Sequence, residues 1–113
     1  MKTMLFVEPD KNLQQLLSEY FTDLGNKVFI SQDKNTTVDK LKHNQIDVVV
    51  YEYINVDGIE IVLDMVNRMV PKPKTVLLTV NSTQLKQMID RFKPDIAIRK
   101  PFNLDDLEKA ILE

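Results

Sequence analysis

Four polar side chains lie at or near the ends of apolar runs in this chain: Glu8, Glu52, Thr79 and Lys100. The run before Glu52, residues 46–51, is short, rich in valine and almost continuously apolar, as in a strand that is buried on both faces. Ligand and reaction sites in open α/β sheets lie just beyond the carboxyl ends of the strands. Glu52 is therefore a candidate site residue. The alternative interpretation is that Glu52 is simply the first solvated residue after a buried strand.

The segments that must position these side chains alternate between strand and helix patterns. Short apolar runs predict strands at 4–7, 28–30, 46–51, 75–80 and 96–98. Each run is followed by a segment with helical spacing of apolar residues, of which the first is the clearest. Its inner face is predicted to carry Leu13, Leu16, Leu17, Tyr20, Phe21 and Leu24. Capping residues are predicted at Asp10, Asp33, Asn81 or Ser82, and Asn103, and Gly25 is placed to end the first helix.

Five strand-then-helix units with short connections predict an α/β fold of the flavodoxin-like (βα)5 type. This fold is a doubly wound, five-stranded parallel sheet with right-handed crossovers and helices on both faces. An eight-stranded barrel would need about twice the length. We expect residues 1–113 to form a single domain. In the third helix, Ile61 and Met65 fall outside the inner stripe and are expected to be partly exposed.

Composition excludes several classes of function. The chain has 43% hydrophobic and 28% charged residues, a net charge of -2 and no cysteine. It therefore has no basic field for nucleic acid, no thiolate nucleophile and no cysteine-based zinc site. No apolar stretch approaches the roughly 18 residues that span a bilayer, and an acid at Glu8 interrupts any signal-peptide pattern. We expect a cytoplasmic domain that binds neither nucleic acid nor membrane.

The sequence resembles the receiver domain of bacterial two-component response regulators over essentially its whole length. The matching pieces are 6–10 (FVEPD), 50–52 (VYE), 57–58 (DG), Thr79 and 100–102 (KPF). In that family, a pair of acids and an aspartate at the end of the third strand hold Mg²⁺, and the aspartate accepts a phosphoryl group from a histidine kinase. A Thr or Ser and a Lys bind the phosphoryl oxygens. The resemblance also implies a cis peptide bond before Pro101.

Compared residue by residue, Thr79 and Lys100 match the family pattern, and the other positions depart from it. Glu52 stands at the phosphoacceptor position, and its extra methylene moves the carboxylate by roughly 1.5 Å. Pro9 replaces the second acid of the pair and leaves Glu8, with Asp10 next to it as the only substitute. The position after Thr79, usually small, is Val80. The usual aromatic of the fifth strand is Ala97.

We therefore expect an atypical receiver, or pseudo-receiver, that acts through protein–protein contacts without phosphorylation and is not an enzyme. It would have no catalytic residue, no metal and no cofactor. Glu52, paired with Lys100 and Thr79, would be either a constitutive charge in place of a phosphoryl group or a structurally neutral ion pair. The alternative is a functional receiver that accepts a phosphoryl group with Mg²⁺ bound by Glu8, Asp10 and Glu52. A small-molecule binder is disfavoured, since the first loop lacks the glycines that let a backbone approach phosphates.

The expected partners are another protein, an output domain or a second copy of the chain bound through the face formed by the fourth helix, fifth strand and fifth helix. In the family, the face formed by the fourth helix, fifth strand and fifth helix is where receivers usually dimerise or meet partners. Here that face would carry mixed charges from Lys86, Asp90, Arg91, Arg99, Asp105 and Lys109. The lone histidine, His43, is expected to be a solvated side chain at a helix end.

Overall fold

A computed structural model describes residues 1–52, 56–79 and 83–112, with residues 83–85 described only in their backbone. Ten elements alternate along the chain. They are β1 (Thr3–Val7), α1 (Lys11–Asp23), β2 (Lys27–Ser31), α2 (Lys34–His43), β3 (Val48–Glu52), α3 (Ile59–Arg68), β4 (Lys74–Thr79), α4 (Thr83–Phe92), β5 (Ile96–Arg99) and α5 (Leu104–Leu112). All strand pairs are parallel, in the order β2-β1-β3-β4-β5. The predicted flavodoxin-like (βα)5 fold is confirmed.

Two hydrophobic cores cover the two faces of the sheet. Because successive side chains on a strand point to opposite faces, Leu5 and Val49 enter one core, while Met4 and Val48 enter the other. The first core is closed by α2, α3 and α4, and the second by α1 and α5. This double burial explains why β3 reads as a run of valines with no polar alternation.

The amino edge of the sheet is held by three side chains that each stand one residue before a strand. Asn26 accepts a hydrogen bond from the Lys2 amide at 3.0 Å. Asp47 accepts from the Thr3 amide at 2.8 Å, and Asp95 accepts from the Thr75 amide at 2.8 Å. Each carboxylate or amide oxygen satisfies a backbone donor at a strand start, where the ladder supplies no partner. These bonds help to fix the strand register that aligns the opposite edge.

The predicted helix starts are confirmed at three positions. Asp10, Asp33 and Asn103 each accept a hydrogen bond from a backbone amide in the first turn of the following helix. The proposed caps Asn81 and Ser82 lie outside the described residues. Gly25 follows α1 with φ +90°, the left-handed backbone conformation that glycine commonly adopts just after an α-helix. The Lys100–Pro101 bond is cis, as the resemblance implied, and Val70–Pro71 is a second cis bond.

The predicted inner face of α1 was too wide. Leu17 and Phe21 are fully buried, but Leu16 and Leu24 are 48% and 50% exposed. A helix packed on a sheet buries only a limited stripe, and these two leucines lie at its margins. On α2 the buried side chains are Thr37 and Leu41. The expected exposure of Ile61 and Met65 on α3 is confirmed, with Ile61 at 57%.

Candidate functional site

The parallel register brings the predicted site residues to one edge of the sheet. Val7 is paired with Tyr51, so Glu8 and Glu52 follow at the same level on adjacent strands. Thr79 is paired with Arg99, and the Lys100 amide donates a hydrogen bond to the Thr79 carbonyl oxygen at 2.7 Å. The carboxyl ends of β1, β3, β4 and β5 therefore meet here, as the strand order requires.

An ion pair between Lys100 and Glu52 crosses the centre of this edge. The Lys100 ammonium donates a hydrogen bond to Glu52 Oε2 at 2.9 Å. The side chains are 24% and 13% exposed, respectively. A charge-assisted hydrogen bond in a partly desolvated setting is stronger than the same contact on an open surface. The Lys100 ammonium is therefore the counter-ion of the Glu52 carboxylate.

Glu8 is the most buried acid of the site, with 3% of its surface exposed. Its Oε2 accepts a hydrogen bond from the Asp10 amide at 3.1 Å, while its buried Oε1 has no partner among the described residues. Burial raises the pKa of the Glu8 carboxyl, and the charge of the neighbouring Glu52 raises it further. The Asp10 amide and the Lys100 charge act in the opposite direction and do not reverse the shift. Glu8 and Glu52 thus form a carboxyl pair with a single ammonium beside it.

Asp10 has its carboxylate on the first turn of α1. Oδ1 accepts hydrogen bonds from the Asn12 amide at 2.9 Å and the Leu13 amide at 3.2 Å. This is the helix-cap role that the sequence also predicted, and it competes with any role as a ligand. Within the described part of the chain, no group of three or more His, Cys, Asp or Glu side chains could hold a metal ion.

The remaining predicted features lie around this pair. Thr79 is half-buried at the end of β4, and Val80 lies outside the described residues. Ala97 is exposed on β5, where the family has an aromatic side chain. His43 is exposed at the end of α2, and its Nδ1 lies 3.0 Å from the Asp39 carbonyl oxygen and 3.3 Å from Asp39 Oδ1.

The sequence analysis did not identify an apolar groove next to Lys100. The groove encloses about 510 Å³ and is lined by Leu13, Leu16, Lys100, Pro101, Phe102 and Leu104. One sign of the groove was present in the sequence. Leu16 was predicted to be on the inner face of α1, but it lies at the edge of that face and is exposed. Lys100 thus contacts both the groove and the carboxyl pair.

A doubly wound sheet with carboxylates and a lysine at its carboxyl edge places the chain among flavodoxin-like folds of the receiver type. Solved receiver structures match it closely. The signal receiver domain of an HD domain-containing protein from Pseudomonas fluorescens Pf-5 superposes with a TM-score of 0.86 at 17% identity, over 98% of this chain and 91% of that one. A two-component response regulator from Clostridium difficile superposes with a TM-score of 0.82 at 23% identity, over 99% of this chain and 96% of that one.

Full-length FixJ from B. japonicum also matches, with a TM-score of 0.80 and 20% identity, over 97% of this chain and 55% of FixJ. The chain therefore has the fold of response regulator receiver domains. No family model matches the sequence, and no curated relative matches it. None of the described helices is long and apolar enough to cross a membrane.

Proposed function

We propose that residues 1–113 form a single receiver-like domain that works in cytoplasmic two-component-type signalling through protein contacts and without accepting a phosphoryl group. The receiver fold supports the first part of this proposal. The Lys100–Glu52 ion pair beside the buried Glu8 carries the second part, because the acceptor-equivalent carboxylate is longer than aspartate and is already paired with an ammonium. The module is proposed to be a signalling domain and not an enzyme.

The donor set does not fit the Mg²⁺ that the receiver fold implies. Magnesium requires near-ideal octahedral oxygen geometry. Pro9 offers no carboxylate, and the Asp10 carboxylate is bound to the start of α1. The partnerless Glu8 Oε1 is one potential ligand, but Glu52, the other acid at this edge, is paired with Lys100. The carboxylates of Glu8 and Glu52, with the Lys100 ammonium beside them, are therefore a poor ligand set for a small divalent cation.

Phosphoryl transfer to Glu52 would also be slow for geometric reasons. Catalysis of this transfer depends on positioning and on neutralisation of the equatorial oxygens. The acceptor oxygen is displaced by roughly one carbon–carbon bond, and a misplacement of about 1 Å can cost on the order of a hundredfold in rate. The same displacement carries the Glu52 charge outward, towards the region a phosphoryl group would occupy. Glu52 is therefore proposed as a constitutive charge that holds the domain in one state.

The expected contact surface for an output domain or protein partner is the α4–β5–α5 face. Its six charged side chains are all exposed: Lys86, Asp90, Arg91, Arg99, Asp105 and Lys109. Interspersed charges of both signs favour a specific partner over non-specific binding. The chain matches 55% of full-length FixJ, which leaves room in that protein for a further domain as the partner of its receiver-like part.

Phosphorylation is tested by incubating the protein with Mg²⁺ and acetyl phosphate and measuring the intact mass. We expect no phosphoryl adduct under conditions that fully modify an aspartate-bearing receiver domain. A stoichiometric adduct that disappears in Glu52→Gln would establish the alternative, a functional receiver with Glu52 as its acceptor. An adduct that persists in Glu52→Gln would place the acceptor elsewhere and would also contradict the proposal.

The charge hypothesis is tested separately with the same variant. Glu52→Gln keeps the side-chain length and removes the negative charge. We expect binding of the partner or output domain to change while circular dichroism shows an intact fold. Unchanged binding would mean that the ion pair is structurally neutral.

A further inference from the structure

The outward face of α3 carries an apolar stripe that is partly exposed. Ile61, Met65 and Met69 recur every four residues, from the exposed side of α3 to the margin of its buried stripe. Met65 and Met69 are half-buried and also pack against the first core. Ile61 is 57% exposed, and Val70, just beyond the helix, is 96% exposed. Together with Arg68, the three stripe residues line a shallow groove of about 320 Å³. Contiguous exposed apolar surface of this kind marks contact sites more often than isolated exposed residues do.

The charges beside the stripe are separated along the helix. Asp57 precedes α3 and Asp64 lies within it, whereas Arg68 and Lys72 follow towards its carboxyl end. Asp57, Arg68 and Lys72 are exposed, and Asp64 is half-buried. Over the described residues, neither Asp64 nor Arg68 takes part in an ion pair, and Arg68 Nε donates only to the Asp64 carbonyl oxygen of its own helix at 3.2 Å. The stripe therefore has an acidic end and a basic end.

We infer that this face binds a second copy of the chain, with the two α3 helices antiparallel about a twofold axis. A twofold interface must be complementary to itself, because the same patch is used by both copies. Antiparallel pairing sets Asp64 of one copy against Arg68 of the other, and Ile61 against the region of Met69 and Val70. A parallel pairing would place like charges together. The proposal concerns α3 and does not depend on the carboxyl pair or on the α4–β5–α5 face.

The size of the contact determines the strength that we expect. The ten residues of α3 extend over about 15 Å, so the buried area falls at the low end for specific interfaces. We expect a reversible dimer with a dissociation constant on the order of 100 µM. Such a contact would be driven by the apolar stripe and oriented by the charges.

Sedimentation equilibrium of the whole chain, from about 10 µM to about 1 mM around the expected dissociation constant, tests the inference. The wild type should pass from monomer to dimer. Ile61→Lys and, independently, Val70→Lys should each weaken dimerisation at least tenfold, since each puts a charge into the stripe. Leu24→Lys is the matched control, because Leu24 is 50% exposed on α1 and its replacement should leave dimerisation unchanged.

A charge reversal tests the orientation. Arg68→Asp should weaken the dimer, and Asp64→Arg combined with Arg68→Asp should restore it to near the wild-type strength. Circular dichroism of each variant confirms the fold. A wild type that stays monomeric throughout, a dimer that is insensitive to both lysine variants, or a double reversal that fails to restore dimerisation would each overturn the inference.

Discussion

Lys100 Nζ lies 2.9 Å from Glu52 Oε2, in a contact that joins the end of β5 to the end of β3 above the intervening β4. The two strands are not neighbours, so no backbone ladder holds these ends together. The ion pair therefore adds a direct side-chain contact between two strand ends that the backbone joins only through β4. It also leaves Glu8 facing a carboxylate whose charge is already shared with an ammonium.

Removing the cation should destabilise the protein more than removing the whole pair. Lys100→Met leaves Glu52 and Glu8 together without a counter-charge, and we expect a loss of about 2 kcal/mol in the free energy of unfolding at neutral pH. Adding Glu52→Gln should recover most of this loss, because the uncompensated charge is gone. Urea denaturation of both single variants and the double variant gives the coupling energy. A coupling below about 0.5 kcal/mol would show that the pair is not energetically linked.

The raised pKa of Glu8 predicts a specific dependence of stability on pH. The folded state holds the Glu8 proton more tightly than the unfolded state does. The resulting stabilisation is fully present below the ordinary glutamate pKa of about 4.5 and is lost as the pH rises through the raised value. Gln resembles the protonated acid, so Glu8→Gln should gain stability relative to the wild type across this window.

Urea denaturation of the wild type and Glu8→Gln, at a series of pH values from about 4 to about 8, measures that difference. Titratable groups that are common to both proteins cancel in this stability difference. They include Asp33, whose pKa is lowered by the hydrogen bond from the Thr36 amide and whose effect on stability therefore has the opposite dependence on pH. Glu52 and Lys100 face Glu8 from the ends of β3 and β5. Because the charge of Lys100 lowers the pKa of Glu8, Lys100→Met should enlarge the stability difference between the proteins with and without Glu8→Gln. A stability difference that does not vary with pH would contradict the prediction.

The glycine before α3 should be more sensitive to substitution than the glycine after α1. Both have positive φ, +77° at Gly58 and +90° at Gly25, and an L-residue there costs about 1–2 kcal/mol. A methyl group on Gly58 would also lie 2.8 Å from Lys34 Cδ, whereas one on Gly25 would meet nothing within 4 Å. Gly58→Ala should therefore lower the unfolding free energy more than Gly25→Ala does. Combining it with Lys34→Ala should remove the excess; equal losses in both glycine variants would contradict this account.

Tyr20 should ionise at a higher pH than a free tyrosine, because two acids of α5 accept hydrogen bonds from its hydroxyl. The hydroxyl donates to Glu108 Oε1 at 2.6 Å and to Asp105 Oδ1 at 3.3 Å, and the hydrogen bond to Glu108 is the main cause that raises the pKa of Tyr20 to about 12. The stabilisation from this contact is present below the ordinary value of 10 and is lost as the pH rises through about 12.

An ultraviolet absorbance titration tests the Tyr20 prediction. The difference between the wild type and Tyr20→Phe isolates the phenol, and Glu108→Gln should lower its pKa towards 10 because the acceptor loses its charge. An unchanged midpoint in Glu108→Gln would mean that Glu108 is not the cause of the shift.

The strands, three of the helix caps and the sheet edge that carries the candidate site could be predicted from the sequence. Valine-rich runs such as 48–50 can be buried on both faces only in a covered parallel sheet. Asp10, Asp33 and Asn103 mark helix starts because their short side chains reach free amides in the first turn. These features depend only on neighbouring residues, so residue type and spacing were enough to predict them.

Which side chains meet, and which stay exposed, could be learned only from the folded chain. Burial in the folded sheet edge raises the pKa of Glu8, and the charge of Glu52, 44 positions further along the chain, raises it further. The ion pair joins Glu52 to Lys100, another 48 positions on. The groove beside Lys100 and the exposure of Leu16 depend on how far α1 rotates on the sheet. Distances between residues remote in sequence, and the rotation of each helix, follow from the packing of the whole core, which no local pattern specifies.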